Sequence, residues 1–367
     1  MLKYVLCRLM LIPVTLLGIM IVNFAFVQAA PGGPVEQTIL KLQGQANATG
    51  RISGGAGDAG MTRAVKKTDA NESAYRGAQG LDPALIKELE QRFGFDKPAH
   101  ERFFKMMKSY ALFDFGDSFY KDESVVSLIF SKLPVSASLG IWSTLLIYLI
   151  SIPLGIKKAV SDGSSFDTAT SWLIVAGYAV PAFLFAMLLI VLFAGGAYFS
   201  WFPLRNLTSD NFADLSAWGK IKDYFHHLVL PVAAMTAGGF ASLTMLTKNS
   251  FLEEIGKQYV LTAKAKGLSE NRILYGHVFR NAMLIVIAGF PAVLTGMLFT
   301  GSVLIEVVFS LDGLGLLGFE SVMTRDYPVV FGTLYIFALL GLVLNLISDL
   351  TYRLIDPRID FSGKAHD

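Results

Sequence analysis

Six stretches of this chain each run for twenty or more residues without one Asp, Glu, Lys, Arg or His. They are Leu9–Val35, Leu133–Ile156, Thr168–Leu204, Leu228–Thr247, Ala282–Ile305 and Pro328–Ser348. A helix needs about 20 apolar residues to cross the hydrocarbon of a bilayer, so each run is long enough to span it. The third run, at 37 residues, is too long for one straight span and too short for two spans and a turn. It reads as one helix bent at Pro181 and continuing into an interfacial tail at Tyr198–Trp201. The expected fold class is therefore an all-α integral membrane protein with six transmembrane helices. A β-barrel would need strands of about ten residues with alternating polarity, which these runs are not.

Composition agrees. Charged residues make up 16% of the chain and mean hydropathy is +0.52, against about 25% charged in soluble domains. The net charge of +2 gives no reason to expect a nucleic-acid partner, and the lone Cys7 cannot form an intramolecular disulfide. With the N-terminus inside, the cytoplasmic pieces hold thirteen Lys and Arg, among them Lys157, Lys158, Lys248, Lys257, Lys264, Lys266, Arg272 and Arg280. The two short outside loops hold four: Arg205, Lys220, Lys222 and Arg325. The positive-inside rule then predicts both termini in the cytoplasm. The first run could be a cleaved signal, with Ala30 at the cleavage point, but its apolar core exceeds the usual 7–15 residues, which favours an uncleaved helix.

The chain divides into an N-terminal helix (1–35), an outside loop (36–132) and a core of helices 2–6 (133–367). Within the loop, 43–80 is rich in Gly, Ala, Asn and Ser and reads as a flexible insert. From Leu81 a mostly helical cap is expected: Asp82-Pro83 as N-cap and N1, then Leu85, Ile86, Leu89 and Phe93 at helical spacing. A second amphipathic segment follows around Phe103–Leu112.

The polar, basic segment between spans four and five carries the mechanism. Ser250-Phe251-Leu252-Glu253 has the form of a capping box, starting a helix to Lys266 with Gly267 as C′. Ser269 would cap a second short helix through Ile273 and His277. A rigid helix–glycine–helix protrusion over 250–281 would suit docking to a partner. Short cytoplasmic loops are ordinarily basic, however, so charge alone favours a plain membrane anchor over a docking element.

The ordered run Tyr259-Val260, Thr262-Ala263-Lys264-Ala265-Lys266-Gly267 and His277-Val278-Phe279-Arg280-Asn281-Ala282 resembles the coupling loop of bacterial ABC importer permeases, in the oligopeptide and dipeptide branch. In that family the segment usually reads E-A-A, three residues, G, then I-x-L-P. Here Leu261, Thr262 and Ala263 take the first three positions, and His277, Phe279 and Arg280 stand at I, L and P, the form typical of peptide-type permeases. Arg8-Leu9 through Pro31-Gly32-Gly33-Pro34, Phe115-Gly116-Asp117-Ser118, Asp312-Gly313-Leu314-Gly315 (with Asp312 where many relatives have Pro) and Arg325-Asp326-Tyr327-Pro328 are similar too. The 36–80 insert with Phe93-Gly94-Phe95-Asp96-Lys97-Pro98 most resembles the Yej-type inner-membrane permeases, B subunit.

The resemblance implies a type I importer permease in the bacterial inner membrane, forming half of a translocation path. Its implied partners are a second, paralogous permease, cytoplasmic ABC ATPase domains, a periplasmic substrate-binding protein and the lipid bilayer. Implied substrates are oligopeptides, with peptide-nucleotides of the microcin C kind or peptidoglycan-derived muropeptides among them. The implied coupling residues are Tyr259, Thr262, Ala263, Lys264, Ala265, Lys266, Gly267, His277, Arg280 and Asn281. The implied outer gate or docking residues are Phe115, Gly116, Asp117, Glu306, Asp312, Gly313, Gly315, Arg325 and Asp326.

No G-x-x-x-x-G-K-[ST] loop occurs, so the chain is not expected to be an enzyme or to bind a cofactor; ATP and Mg would sit on the partner ATPase. No ionisable residue lies at a span centre, which disfavours an ion-driven carrier. Glu306 and Asp349 fall at span ends, where solvation or snorkelling should make them cheap. Asn23 and Asn345 are expected to bond between helices, and Gly238-Gly239 and Gly289 with Gly296 to allow close helix packing. Adjacent His226 and His227 point apart on a helix and are not expected to bind a metal. The competing reading is a stand-alone channel or secondary carrier for small peptides, working without ATP.

Overall fold

The computed structural model describes residues 2–29, 97–121, 123–196, 198–299 and 303–355. The expected insert over 43–80, the cap helix beginning at Leu81, the cleavage point at Ala30 and Asp356-Pro357-Arg358 lie outside the described residues. Every regular element among the described residues is helical.

The chain forms two compact units, one from Met1–Val14, Ser127–Glu320 and Ile336–Asp367, the other from Thr15–Val126 and Ser321–Tyr335. Three long helices run through both: α1 (Leu2–Ala29), α3 (Val125–Val160) and α12 (Tyr327–Ile355). Between the first two lies α2 (Ala99–Ala111), the expected second amphipathic segment. Five helices are long and apolar enough to cross a membrane, and a bent pair makes up to six. On α1 the side chains of Met10, Val14 and Phe26 are exposed, as a lipid-facing helix requires.

In the larger unit the third run is more sharply broken than a bend. Helices α4 (Ser165–Ala179) and α5 (Ala182–Phe193) meet at 96°. Pro181 has no N–H to give the helix, and it drives Val180 out of the helical region to ψ 120. Beyond α5 the expected aromatic tail turns back on the helix, with Trp201 stacked on Phe193 and Phe199 at 5.5 and 4.5 Å. At the other end of α4, Ser164 caps the helix by accepting from the Asp167 N–H.

Helix α6 (Ala217–Ile255) has 39 residues, about 58 Å at 1.5 Å per residue, roughly twice the hydrocarbon thickness. It packs closely on α3. A Cβ on Gly155 would lie 2.6 Å from Thr247 Cβ, and one on Gly239 would lie 2.2 Å from Ile147 Cδ1. Gly238 and Gly289 instead have nothing within 4 Å, so the expected close packing is seen at Gly239, joined by Gly155. One core joins α3, α5 and α6 to α10 (Val303–Val308) through Leu139, Ala186, Leu230, Ile305 and Phe309. A second lies at the opposite end, under the segment joining spans four and five.

Polar groups near the span ends depart from expectation. Asp349 pairs with Arg8 at 3.0 Å rather than reaching solvent alone. Asn23 is buried with its Nδ2 unbonded, and Asn345 is exposed. Neither therefore shows the interhelical bond expected of that amide. His226 and His227 turn to different carbonyls, those of Trp201 and Asp223.

Candidate functional site

The segment after α6 is not built as its sequence suggests. Ser250 caps nothing; it lies inside α6, which continues to Ile255. Its hydroxyl instead donates to the Ala282 carbonyl at 2.6 Å, a tertiary bond that removes the helix start. The break comes at Gly256, and α7 (Gln258–Ala265) follows.

Helix α7 ends as expected. Gly267 has φ +77, and its N–H donates to the Lys264 carbonyl while that of Leu268 reaches Ala263. This is the left-handed C′ position that a side chain would strain. Ser269 then precedes α8 (Glu270–Ile273) with extended backbone but makes no side-chain cap. The second helix is not separate. It passes through a π turn at Leu274–Val278 directly into α9 (Phe279–Phe299), so the protrusion and a span share one continuous helix.

The protrusion is rooted by Val260, Ala263, Ile273 and Val278, which pack with Phe251, Ala282 and Val286 against Ile147, Ile156 and Leu243. Outside the hydrocarbon such burial contributes about 1.5–3 kcal/mol for each large apolar side chain. Tyr259, half-buried, donates its hydroxyl to Glu254 Oε2 at 2.8 Å and is bonded by Asn281. Glu254 also pairs with Lys257.

The expected coupling residues thus separate. Ala263 faces the root, and Tyr259 braces the turn after α6. Thr262, Lys264, Ala265, Lys266, Gly267, His277, Arg280 and Asn281 are exposed. Two further side chains belong with them: Leu261 and Tyr275 are each 60% exposed. The same segment also exposes Lys264, Lys266 and Arg272, with Glu270 the one exposed acidic residue between Tyr259 and Ala282. Leu261 was visible in the sequence as an apolar residue at the family's acidic position; Tyr275 carried no such signal.

The outer residues belong to different units. In the larger unit Glu306 is fully buried, not solvated. Its carboxylate accepts from the Leu316 N–H at 2.7 Å, from the Gly315 N–H, and from Ser136 Oγ at 3.4 Å. Ser136 Oγ in turn accepts from the Leu314 N–H at 2.8 Å. Together they satisfy three orphan donors at the start of α11 (Leu314–Thr324). Burial pushes the Glu306 carboxyl up from its ordinary value, and the two backbone N–H groups and Ser136 partly oppose this. Gly313 lies against this carboxylate, and exposed Asp312 pairs with Lys132.

In the smaller unit Asp326 is also buried. It accepts from Ser118 Oγ at 2.5 Å and from the Phe119 N–H at 3.2 Å. Phe115 is buried in an aromatic cluster with Tyr110 and Tyr335, at 4.9 and 5.4 Å. Gly116 (φ +78) and Asp117 turn outward, and Arg325 (φ +57) is exposed after α11. Of the expected gate or docking residues, Phe115, Glu306, Gly313 and Asp326 are therefore internal supports, while Gly116, Asp117, Asp312 and Arg325 are accessible.

Five helices long and apolar enough to cross a membrane, or up to six, with a rooted protrusion between two of them, fit a polytopic membrane protein. The chain belongs to the family of binding-protein-dependent transport system inner membrane components, whose pattern its residues 151–361 match. It is 62% identical to the peptidoglycan transport system permease protein YejB of Agrobacterium fabrum, over 98% of this chain and 99% of that one. It is 59% identical to the inner membrane ABC transporter permease protein YejB of Escherichia coli O157:H7, again over 98% and 99%. The oligopeptide transport system permease protein AppB of Bacillus subtilis is 32% identical over 98% of this chain and all of that one.

Proposed function

We propose that this chain is one of two paired permease subunits of an ATP-driven importer that carries oligopeptides, including peptidoglycan-derived muropeptides, across the bacterial inner membrane. The observation that carries the reading is a segment set on a buried apolar root that leaves bulky Leu261 and Tyr275 exposed along with Lys264, Lys266 and Arg272. Bulky side chains left bare on a rooted segment suit burial against a partner, and the excess of exposed cations suits one with acidic edges. A cytoplasmic ATPase domain answers both. The names of the relatives support the peptide and muropeptide substrates; microcin C-like peptide-nucleotides are a further candidate.

In this reading both termini are cytoplasmic, and ATP and Mg bind the partner ATPases, this chain having no phosphate loop of its own. Closure of the ATPase pair displaces α7 and the π turn. Because the π turn is continuous with α9, and α7 joins α6 at Gly256, the displacement reaches two spans. A periplasmic binding protein delivers substrate from outside; accessible candidates for its contact are Asp312 in the larger unit and, separately, Asp117 and Arg325 in the smaller. The path is completed by the second, paralogous permease.

The test is uptake of a labelled muropeptide or oligopeptide into liposomes holding the co-expressed complex with the binding protein outside. Uptake that requires ATP and the binding protein is expected. Uptake by this chain alone, without ATP, would instead make it a self-contained carrier.

A further inference from the structure

Three spans end on one ion cluster that the coupling and gating residues do not include. Lys158 stands near the end of α3, Asp162 in the α3–α4 turn, Asp167 in the first turn of α4 and Lys248 near the end of α6. Each lies within a few residues of the end of its charge-free run, on the side of the protrusion.

Lys158 is fully buried, and its ammonium meets the Asp167 carbonyl, Thr170 Oγ1 and Ser171 Oγ, each at 2.8 Å. Asp167 Oδ1 lies 2.9 Å from the same nitrogen, as a charge contact with no proton aimed along it. Asp167 Oδ2 accepts from Lys248 at 2.7 Å and from the Gly163 N–H at 3.2 Å. The Lys248 ammonium also reaches Asp162 Oδ1 at 2.7 Å, on the exposed turn. Two cations and two carboxylates thus balance, with Lys158, Asp167 and Lys248 largely shielded from solvent and Asp162 at the exposed edge.

This cluster sits where α6 is held by two other helices. Thr247 lies against Gly155 of α3, and Ser250 bonds Ala282 of α9. Seven residues beyond Lys248, α6 ends and the protrusion begins. In the other direction Asp167 leads along α4 to the break at Pro181. A packed apolar contact transmits displacement only while its surfaces stay mated. An ion pair holds over a longer range and can exchange one carboxylate for another.

We propose that Lys248 is a positioning residue for transport, which fastens the coupling-segment helix α6 to the broken span through Asp167. Lys158 fixes Asp167 in place, and Asp162 is the alternative anchor for Lys248 when α6 moves against α4. The inference rests on the importer reading, and it adds the joint between the ATPase-driven element and the span that bends.

The test uses the complete co-expressed complex in liposomes and reads peptide uptake and ATP hydrolysis separately. In Lys248→Met, Lys158 still neutralises Asp167; assembly and ATPase activity should persist, while peptide carried per ATP falls about tenfold, the size of an ordinary coupling term. Lys248→Arg should restore the ratio. Uptake and hydrolysis falling in proportion, or an unchanged ratio, would overturn the proposal. Should Lys248→Met fail to assemble, Asp162→Asn decides, because its turn is exposed. A lowered ratio supports the exchangeable anchor, and an unchanged ratio refutes it. Failure of the wild-type chain to co-purify with any ATPase would be a failure of the importer reading itself, separable from these outcomes.

Discussion

Gly313 lies so close to Glu306 that a Cβ on it would sit 2.6 Å from both the Glu306 Cδ and Oε1. No other residue type fits this position without moving the carboxylate from the N–H groups of Gly315 and Leu316. Gly313→Ala should therefore destabilise the Val303–Thr324 region by about 1–3 kcal/mol, as overpacking does. Hydrogen exchange at Leu314, Gly315 and Leu316 is expected to accelerate, with membrane insertion intact. Unchanged protection would mean that the carboxylate does not hold the start of α11.

The same carboxylate gives a pH dependence of defined sign. Its proton is held more tightly in the folded protein than in the unfolded chain because burial disfavours the charge. The stability it contributes is then complete below the ordinary value of 4.5 and is lost as pH rises through the raised value. Compared with Glu306→Gln, which does not titrate, the wild type should lose stability across that rise in thermal melts of the purified complex. A wild type that gains on the Gln variant over the same interval would contradict the assignment.

A Cβ on Gly267 would meet nothing within 4 Å, so this position requires φ +77 rather than space. Placing an L side chain there costs roughly 1–2 kcal/mol, least for Asn, which visits the left-handed region. ATP-dependent uptake should fall in the order Gly, Asn, Ala, Val. Equal uptake by the Val variant would remove the turn from the coupling element.

Leu261→Asp and Tyr275→Asp alter exposed side chains and should change stability by no more than about 0.5 kcal/mol. Retention of the ATPase on the solubilised complex should nevertheless drop at least about tenfold, a loss near 1.4 kcal/mol. Val260→Asp, in the buried root, should instead reduce the folded protein itself. Normal ATPase retention with both variants would move the docking surface elsewhere.

The spans were legible because a bilayer imposes a minimum apolar length, and six charge-free runs met it. The Gly267 turn was legible too, since a glycine after a helical pattern carries its own conformational reason. Ser250 misled because its local pattern suits a cap, whereas the Ala282 carbonyl that takes its hydroxyl lies 32 positions away. Pro181 announced a break but not a 96° one, since the angle depends on how α5 packs against α6. Glu306 read as a solvated span end because its donors come from a loop that folds back only around Gly313. The Lys158–Asp167–Lys248 cluster was hidden for the same reason: Lys157 and Lys158 are enough for a topology count, and Asp167 and Lys248 are 81 residues apart.

The most direct measurement is a pull-down of the tagged chain from detergent-solubilised membranes, with vanadate-sensitive ATP hydrolysis assayed on what is recovered. Co-purification of an ATPase and a second permease, lost when 259–281 is altered, is the predicted result. A chain that purifies without an ATPase, and carries peptide into liposomes without ATP, would contradict it.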